Sequence, residues 1–100
     1  MKRKNYAKED YESVKLYFKY NKNQHISGRE LEELFSITTS QNQAIIHDLR
    51  VNEVPIISCG NKGYKYTTNM DEITRTYMSL CGRGMSILVA ANGLKGYLEN

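Results

Sequence analysis

Pro55 is the only proline in this 100-residue chain, and it separates two different kinds of sequence pattern. A helix cannot continue through it, because proline lacks an N–H and its ring clashes with the preceding turn. Downstream, "PIIS" and "YKYTT" flank "CGNKG", which is typical of two strands joined by a turn containing Gly and Asn. The pattern predicts a β-hairpin with Tyr64 and Tyr66 on one face and Lys65 on the other.

Two amphipathic helices are predicted near the start of the chain, over about residues 8–20 and 27–35. In the second helix, Ser27 and Glu30 have capping-box spacing. The Ser27 side chain is expected to accept a hydrogen bond from the Glu30 amide, and the Glu30 carboxylate to accept one from the Ser27 amide. The predicted buried stripe of this helix consists of Leu31, Leu34 and Phe35. Five tyrosines are expected to face the core: Tyr11, Tyr17, Tyr64, Tyr66 and Tyr77.

A third helix is predicted from "SITTSQ" to about residue 52. Thr38, Thr39 and Ser40 are alternative N-caps, because a Gln or Asn follows three residues after each of them. Apolar residues of this helix recur at helical spacing, so one of its sides is expected to be buried.

The last segment, from Asp71 as a predicted N-cap, has the spacing of a helical seam. Its apolar or small positions alternate in steps of four and three: Ile73, Tyr77, Leu80, Gly84, Ile87, Ala91, Leu94 and Leu98. Several glycines weaken a helix here by roughly 1 kcal/mol each, so packing has to stabilise it. The seam could pack back on the domain or pair with a second copy, and we expect a homodimer.

The formal net charge of +3 is unevenly distributed. Residues 1–22 are rich in Lys and Arg, including "KRK" at residues 2–4, a solvated start or a phosphate-binding arm. Residues 23–54 contain more acidic than basic side chains. Any polyanion binding is therefore expected to be local rather than spread over the whole surface.

Several functional classes lack support in the sequence. Cys59 and Cys81 have no CxxC spacing and no neighbouring His cluster, so we expect neither a metal site nor a cofactor. No nucleophile–base set or phosphate-binding loop is recognisable, which argues against an enzyme. The longest apolar run, residues 87–91, is too short to span a bilayer, and we expect no membrane association and a cytoplasmic location.

The order helix, short helix, tight turn, helix and hairpin, together with "SGRELEEL", "LR", "PIIS" and "GNKGYKY", resembles the winged helix-turn-helix. The DNA-binding domain of the bifunctional biotin ligase/repressor has this layout. Small proteins of Gram-positive bacteriophages and prophages are more similar still, since a helical tail follows their wing. The resemblance covers residues 26–68 well and the tail more loosely. It implies a mainly α, α+β fold: a winged domain in residues 1–70 (three helices and a two-stranded wing) and a helical extension in residues 71–100.

The resemblance also implies which residues meet DNA. The outward residues of the third helix, as the recognition helix, would be Thr39, Ser40, Gln41, Gln43, Ala44 and His47. The wing would contribute Asn61, Lys62 and Lys65. Arg50 would brace the recognition helix against the wing. The chain departs from the family pattern at Ser36, where such turns usually have glycine, and at Asn42, which is commonly an apolar core position.

The expected function is sequence-dependent binding of double-stranded DNA, by a transcriptional regulator or by an accessory factor in phage replication or recombination. Glutamine suits base recognition because its amide both donates and accepts. The alternative is a winged-helix module that binds a phage or host protein instead of DNA. It is supported by the acidic excess of residues 23–54 and by the absence of Arg or Lys from the outward face of the recognition helix.

Overall fold

The structure, a computed structural model, describes residues 5–99, so the basic stretch at residues 2–4 lies outside the described residues. Within that range the chain forms four helices and a two-stranded antiparallel sheet. The elements are α1 (Lys8–Tyr20), α2 (Gly28–Phe35), α3 (Thr39–Val51), β1 (Ile56–Ser58), β2 (Tyr64–Tyr66) and α4 (Met70–Glu99). The mainly helical α+β class predicted from the sequence is confirmed.

The hydrophobic core lies among α1, α2, α3 and the β1–β2 hairpin. Its buried members are Val14, Phe18, Ile26, Leu31, Ile37, Ile45, Ile46, Leu49, Val54 and Ile56. Predicted core tyrosines pack against it with one exception: Tyr11, Tyr17, Tyr64 and Tyr66 are partly buried at its edge. The prediction for Tyr77 is wrong, since its side chain on α4 is 64% exposed and lies beyond the core.

Only one of the two hydrogen bonds of the predicted capping box at the start of α2 is formed. The Ser27 hydroxyl accepts a hydrogen bond from the Glu30 amide at 3.0 Å. The Glu30 carboxylate does not reach back to Ser27. It accepts a hydrogen bond from the Tyr17 hydroxyl of α1, and this bond raises the pKa of Tyr17. The expectation that Leu34 is buried is also wrong, since Leu34 is 53% exposed on a side of α2 that points away from the core.

The α2–α3 turn is built by Ser36 and Thr38. Ser36 adopts a left-handed conformation (φ 51°, ψ 47°), which glycine reaches without steric cost and which explains the glycine usual at this position. Thr38 is the N-cap of α3 among the three alternatives. Its hydroxyl accepts from the Gln41 amide at 3.1 Å, and the Gln41 side chain accepts from the Thr38 amide at 2.9 Å. This reciprocal pair sets the register of α3.

The hairpin pairs Ile56 with Tyr66 and Ser58 with Tyr64, and a short 3-10 turn (Gly60–Lys62) joins its strands. Ile26 adds an antiparallel bridge to Tyr64, with both backbone N–H···O distances at 2.8 Å. This bridge brings the backbone of Ile26 against Gly63, where an added Cβ would lie 2.4 Å from the Ile26 carbonyl oxygen. Only glycine fits there, at a φ of 94°.

The prediction of Asp71 as the N-cap of α4 is wrong, because the helix already begins at Met70. Asn69 takes that role, and its side-chain oxygen accepts from the Glu72 amide at 3.0 Å. The first turns are tied to the hairpin, because Thr67 and Lys65 both donate to the Glu72 carboxylate and the Ser58 amide donates to the Thr76 hydroxyl. Beyond this anchor α4 extends along a molecule that measures 53 × 32 × 23 Å. In residues 5–99 no helix combines the length and apolar character that a membrane span requires.

Candidate nucleic-acid interface

The outward face of α3 presents the residues that the sequence predicts for DNA contact. Thr39, Ser40, Gln43 and His47 are exposed, while Gln41 and Ala44 are half-buried. The opposite side of α3, including Ile45 and Leu49, is in the core. The capped start of α3 therefore orients a continuous polar face toward solvent.

Within residues 5–99 these polar side chains differ in how far they are already hydrogen-bonded. Gln41 is fully engaged, because its oxygen caps the helix and its Nε2 donates to the Asn5 carbonyl at 2.9 Å. The Thr39 hydroxyl donates to the Glu32 carboxylate at 3.0 Å, and the Ser40 hydroxyl accepts from the Asn5 side chain at 3.4 Å. Gln43 makes no side-chain hydrogen bond to the described residues, so its donor and acceptor are both available to a ligand.

The hairpin presents a smaller basic surface than its sequence suggests. Asn61 and Lys62 lie exposed at the turn. Lys65 instead forms an ion pair with Glu72 at 2.6 Å, and its side chain is only 14% exposed. This hydrogen bond, with that from Thr67, lowers the pKa of Glu72. Of the two hairpin lysines, Lys62 is therefore the one that forms no ion pair with the described residues.

Arg50 connects α3 to the hairpin, as the resemblance implies. Its Nε donates to the Ile56 carbonyl at 2.8 Å and its Nη2 to the Ser58 hydroxyl at 2.9 Å. The guanidinium lies 6.0 Å from the centre of the Tyr64 ring. Burial lowers the pKa of Arg50, and the positive charge of Arg83 contributes in the same direction. Arg50 is therefore a structural brace with a second cation nearby.

Asn42 lies at the position of α3 where the resemblance implies an apolar core residue. Its side chain is buried at 2% exposure. The Nδ2 atom makes a long 3.5 Å hydrogen bond to the Gly28 carbonyl, and Oδ1 has no partner among the described residues. The register that the Thr38 cap sets therefore buries the Asn42 side chain with only part of its hydrogen-bonding capacity used, which is energetically costly.

Two shallow grooves follow one another along α3. The first has a volume of about 410 Å³ and lies between the first turns of α3, the start of α2 and the hairpin turn. Thr39, Gln43 and Asn61 line it. The second, of about 720 Å³, lies beside the last turns of α3 and is closed on its far side by α4. Gln43 lines both grooves and therefore marks the centre of the exposed face.

The predicted α4 seam has two parts with different surroundings. Its first part faces the chain's own domain: Ile73, Tyr77 and Leu80 line a cavity against β1, and Leu80, Gly84 and Ile87 line the second groove. Its last part extends past the domain, with Leu94 and Leu98 exposed at 70% and 82%. Ala91, which lies between Ile87 and Leu94 in the seam, is also exposed. The first part of the seam therefore lies against its own domain, and the last part does not.

In residues 5–99 no group of three or more His, Cys, Asp or Glu side chains is arranged to hold a metal ion. Both cysteines are free thiols within the same range. No protein-family model, curated protein or solved structure gives a significant match to this chain.

Proposed function

We propose that this chain binds double-stranded DNA through a winged helix-turn-helix domain, as a small regulator or replication accessory factor of the phage type. The observation that carries the proposal is the polar face of α3. Gln43, the residue on that face with an unengaged amide, is exposed between two grooves, and the hairpin tip with Lys62 borders the same side of the molecule.

Base edges are contacted by the N-terminal half of α3, because α4 lies beside the C-terminal half. Recognition helices commonly read base edges with their N-terminal residues, so this division suits the proposed role. Gln43 is the base-reading residue, since a free amide can pair with N6 and N7 of adenine. Thr39, Ser40 and Lys62 serve phosphates, which position the protein without reading sequence. Gln41 acts mainly as the cap that holds α3 in place.

The test is selection of a preferred duplex with the wild-type chain, followed by binding of that duplex to Gln43→Ala. Loss of one good amide–adenine pair corresponds to about 1–3 kcal/mol, so affinity for the selected duplex should fall by roughly 5- to 150-fold. Affinity for random duplex should change little. Gln24→Ala is the matched control, since Gln24 is an exposed glutamine in the loop after α1. An unchanged preference in Gln43→Ala would remove α3 from the reading of bases.

The chain acts as a homodimer through the exposed part of α4, residues 85–98. Exposed large apolar side chains cluster there: Met85, Ile87, Leu88, Val89, Leu94, Tyr97 and Leu98. Lys95 is the one charged side chain in that stretch, so the surface lacks the charges that would keep it solvated. A second copy is the preferred occupant because steps of three and four along the seam suit pairing with an identical helix. A two-fold dimer would also double the contact with DNA.

Sedimentation equilibrium of the wild type and of Leu94→Asp/Leu98→Asp tests the dimer. The wild type should sediment at twice the chain mass and the variant at the chain mass, while the variant keeps the cooperative thermal unfolding of its core. Leu34→Asp is the control, because Leu34 is an exposed leucine outside α4. A wild-type chain that stays monomeric at about 100 µM, well above the micromolar range of specific association, would contradict the dimer.

The second candidate function is binding of a phage or host protein, and the same apolar part of α4 favours it. The engagement of Lys65 by Glu72 adds support, because it removes one of two hairpin lysines from contact with a phosphate. A chain that is monomeric and binds no duplex, together with a partner captured by the wild type and lost in Leu94→Asp/Leu98→Asp, would select this function over DNA binding.

A further inference from the structure

The groove between α3 and α4 holds two guanidinium groups. Arg50 reaches it from α3 and Arg83 from α4, and Gln43 and His47 lie on the same wall as Arg50. Arg83 is separated from Arg50 by more than thirty positions in the sequence, and the fold brings them close enough for the charge of Arg83 to act on the pKa of Arg50. The C-terminal half of the α3 face therefore lies in a basic cleft.

Among the described residues, no carboxylate lines this cleft. Within residues 5–99 the ion contacts of side chains are His47 with Asp48 and Lys65 with Glu72, and neither arginine takes part in one. The donors of Arg50 that bind Ile56 and Ser58 meet neutral oxygens. Arg83 forms no side-chain hydrogen bond to the described residues. Two like charges near each other without a counter-ion repel, so an anion entering the cleft gains attraction from both.

We propose that the α3–α4 cleft binds a phosphate of the DNA backbone, with Arg83 of α4 as the contacting residue and Arg50 as the positioned second charge. The proposal rests on the proposed DNA binding and adds to it a contact from outside the helix-turn-helix. It also supplies a cation beside the outward face of α3, which itself carries neither Arg nor Lys. Arginine suits this role because its planar fork can bind a phosphate through two parallel N–H groups.

The experiment titrates fluorescently labelled random-sequence duplex with wild type, Arg83→Gln and Arg75→Gln, at about 50 and 200 mM salt. Arg75 is the matched control, since it is an exposed arginine on α4 that lines none of the grooves beside α3. Each lost phosphate contact lowers the slope of log affinity against log salt by about 0.9 per chain. Arg83→Gln should therefore narrow the affinity ratio between the two salts by roughly 3.5-fold per chain, and Arg75→Gln should leave that ratio near the wild-type value.

A thermal melt of the three proteins accompanies the titration. Arg83→Gln should keep or slightly raise the melting temperature, because it removes a charge that repels Arg50. A large fall in melting temperature would assign Arg83 a structural role and overturn the proposal. An equal loss of affinity in both variants would also overturn it, since the effect would then be one of net charge.

Two further outcomes separate the possible failures. If the wild type binds duplex and Arg83→Gln binds with the same salt dependence, the cleft is not a phosphate site and the proposed function survives. If the wild type binds no duplex at the lower salt, both proposals fail together. Competition by inorganic phosphate, compared with chloride at equal ionic strength, distinguishes the source of the anion. Binding of inorganic phosphate that leaves the affinity for duplex unchanged would indicate a site for a free anion and overturn the backbone assignment.

Discussion

The two regions on either side of Thr67 differ in how far their apolar side chains are buried. From Tyr6 to Thr67 most of the large apolar side chains enter one core, and Phe18, Leu31 and Leu49 are completely buried. By contrast, none of the thirty residues of α4 is buried. Apolar content is therefore a poor guide to burial here, since both regions are rich in Leu and Ile.

The difference indicates that the first region is stabilised by contacts within its own chain, and that α4 is not. The core of the first region is closed by its own elements, so its stability is a property of the single chain. α4 is anchored at one end by Glu72 and Thr76 and gains little from burial further on. A helix with several glycines and no packing is marginal in water. Its C-terminal half is therefore expected to depend on an intermolecular contact.

The sharpest test of this contrast substitutes one leucine in each region by alanine. Leu49→Ala removes a fully buried side chain of the core and should lower the free energy of unfolding by about 2–5 kcal/mol. Leu94→Ala changes an exposed side chain and should cost less than about 0.5 kcal/mol in dilute solution. Urea denaturation followed by circular dichroism at low micromolar concentration measures both. A comparable loss in Leu94→Ala at that concentration would show that α4 is packed within its own chain.

A second pair of variants replaces an asparagine by leucine in each region. Asn42→Leu removes the buried Oδ1 that has no partner in residues 5–99, and it should raise the free energy of unfolding by about 1–2 kcal/mol. Asn92→Leu, on the exposed surface of α4, should change it by about 0.5 kcal/mol through helix propensity alone. Chemical denaturation of both variants compares them. A destabilised Asn42→Leu would mean that the site needs its polar group, for example to hold a water.

The smallest expected effect concerns the joint between the two regions. The hydrogen bonds from Lys65 and Thr67 lower the pKa of Glu72 from its ordinary value of 4.5. A lowered pKa in the folded state means that the ionised Glu72 contributes stability above about pH 4.5 and loses it as the pH falls through the folded pKa. Glu72→Gln should therefore lower the melting temperature slightly at pH 7 and make its decline below pH 4.5 shallower.

Thermal melts between pH 3 and 7 provide the measurement for this joint. Glu33→Gln is the control, because Glu33 is an exposed carboxylate of α2 that forms no ion pair with the described residues. Its melting temperatures should follow those of the wild type across the range. Identical pH profiles for Glu72→Gln and Glu33→Gln would mean that the contact between Glu72 and the hairpin does not stabilise the fold.

Much of the fold could be predicted from the sequence, because short-range rules decide it. The bounds of α1 and α2 and the hairpin after Pro55 agree with the sequence patterns. The bracing contacts of Arg50 agree with what the resemblance implies. The candidate site was less predictable. Its residues lie on the expected face of α3, but the sequence did not show that Gln41 is used as a cap and Lys65 as an ion-pair partner. It also lacked any signal that Arg83 reaches the same face.

By itself the sequence determined where helices begin and end, since caps, proline and turn glycine act within four residues of the chain. The reciprocal cap of Thr38 with Gln41 is a local requirement of this kind. Only the tertiary structure decided which long side chains meet. Glu30 turned from its own helix cap to Tyr17, and Arg83 came to lie beside Arg50, because the packing of α1 and the direction of α4 put those groups within reach. A hydrogen bond or charge contact depends on distance in space, and the sequence pattern constrains that distance only between near neighbours.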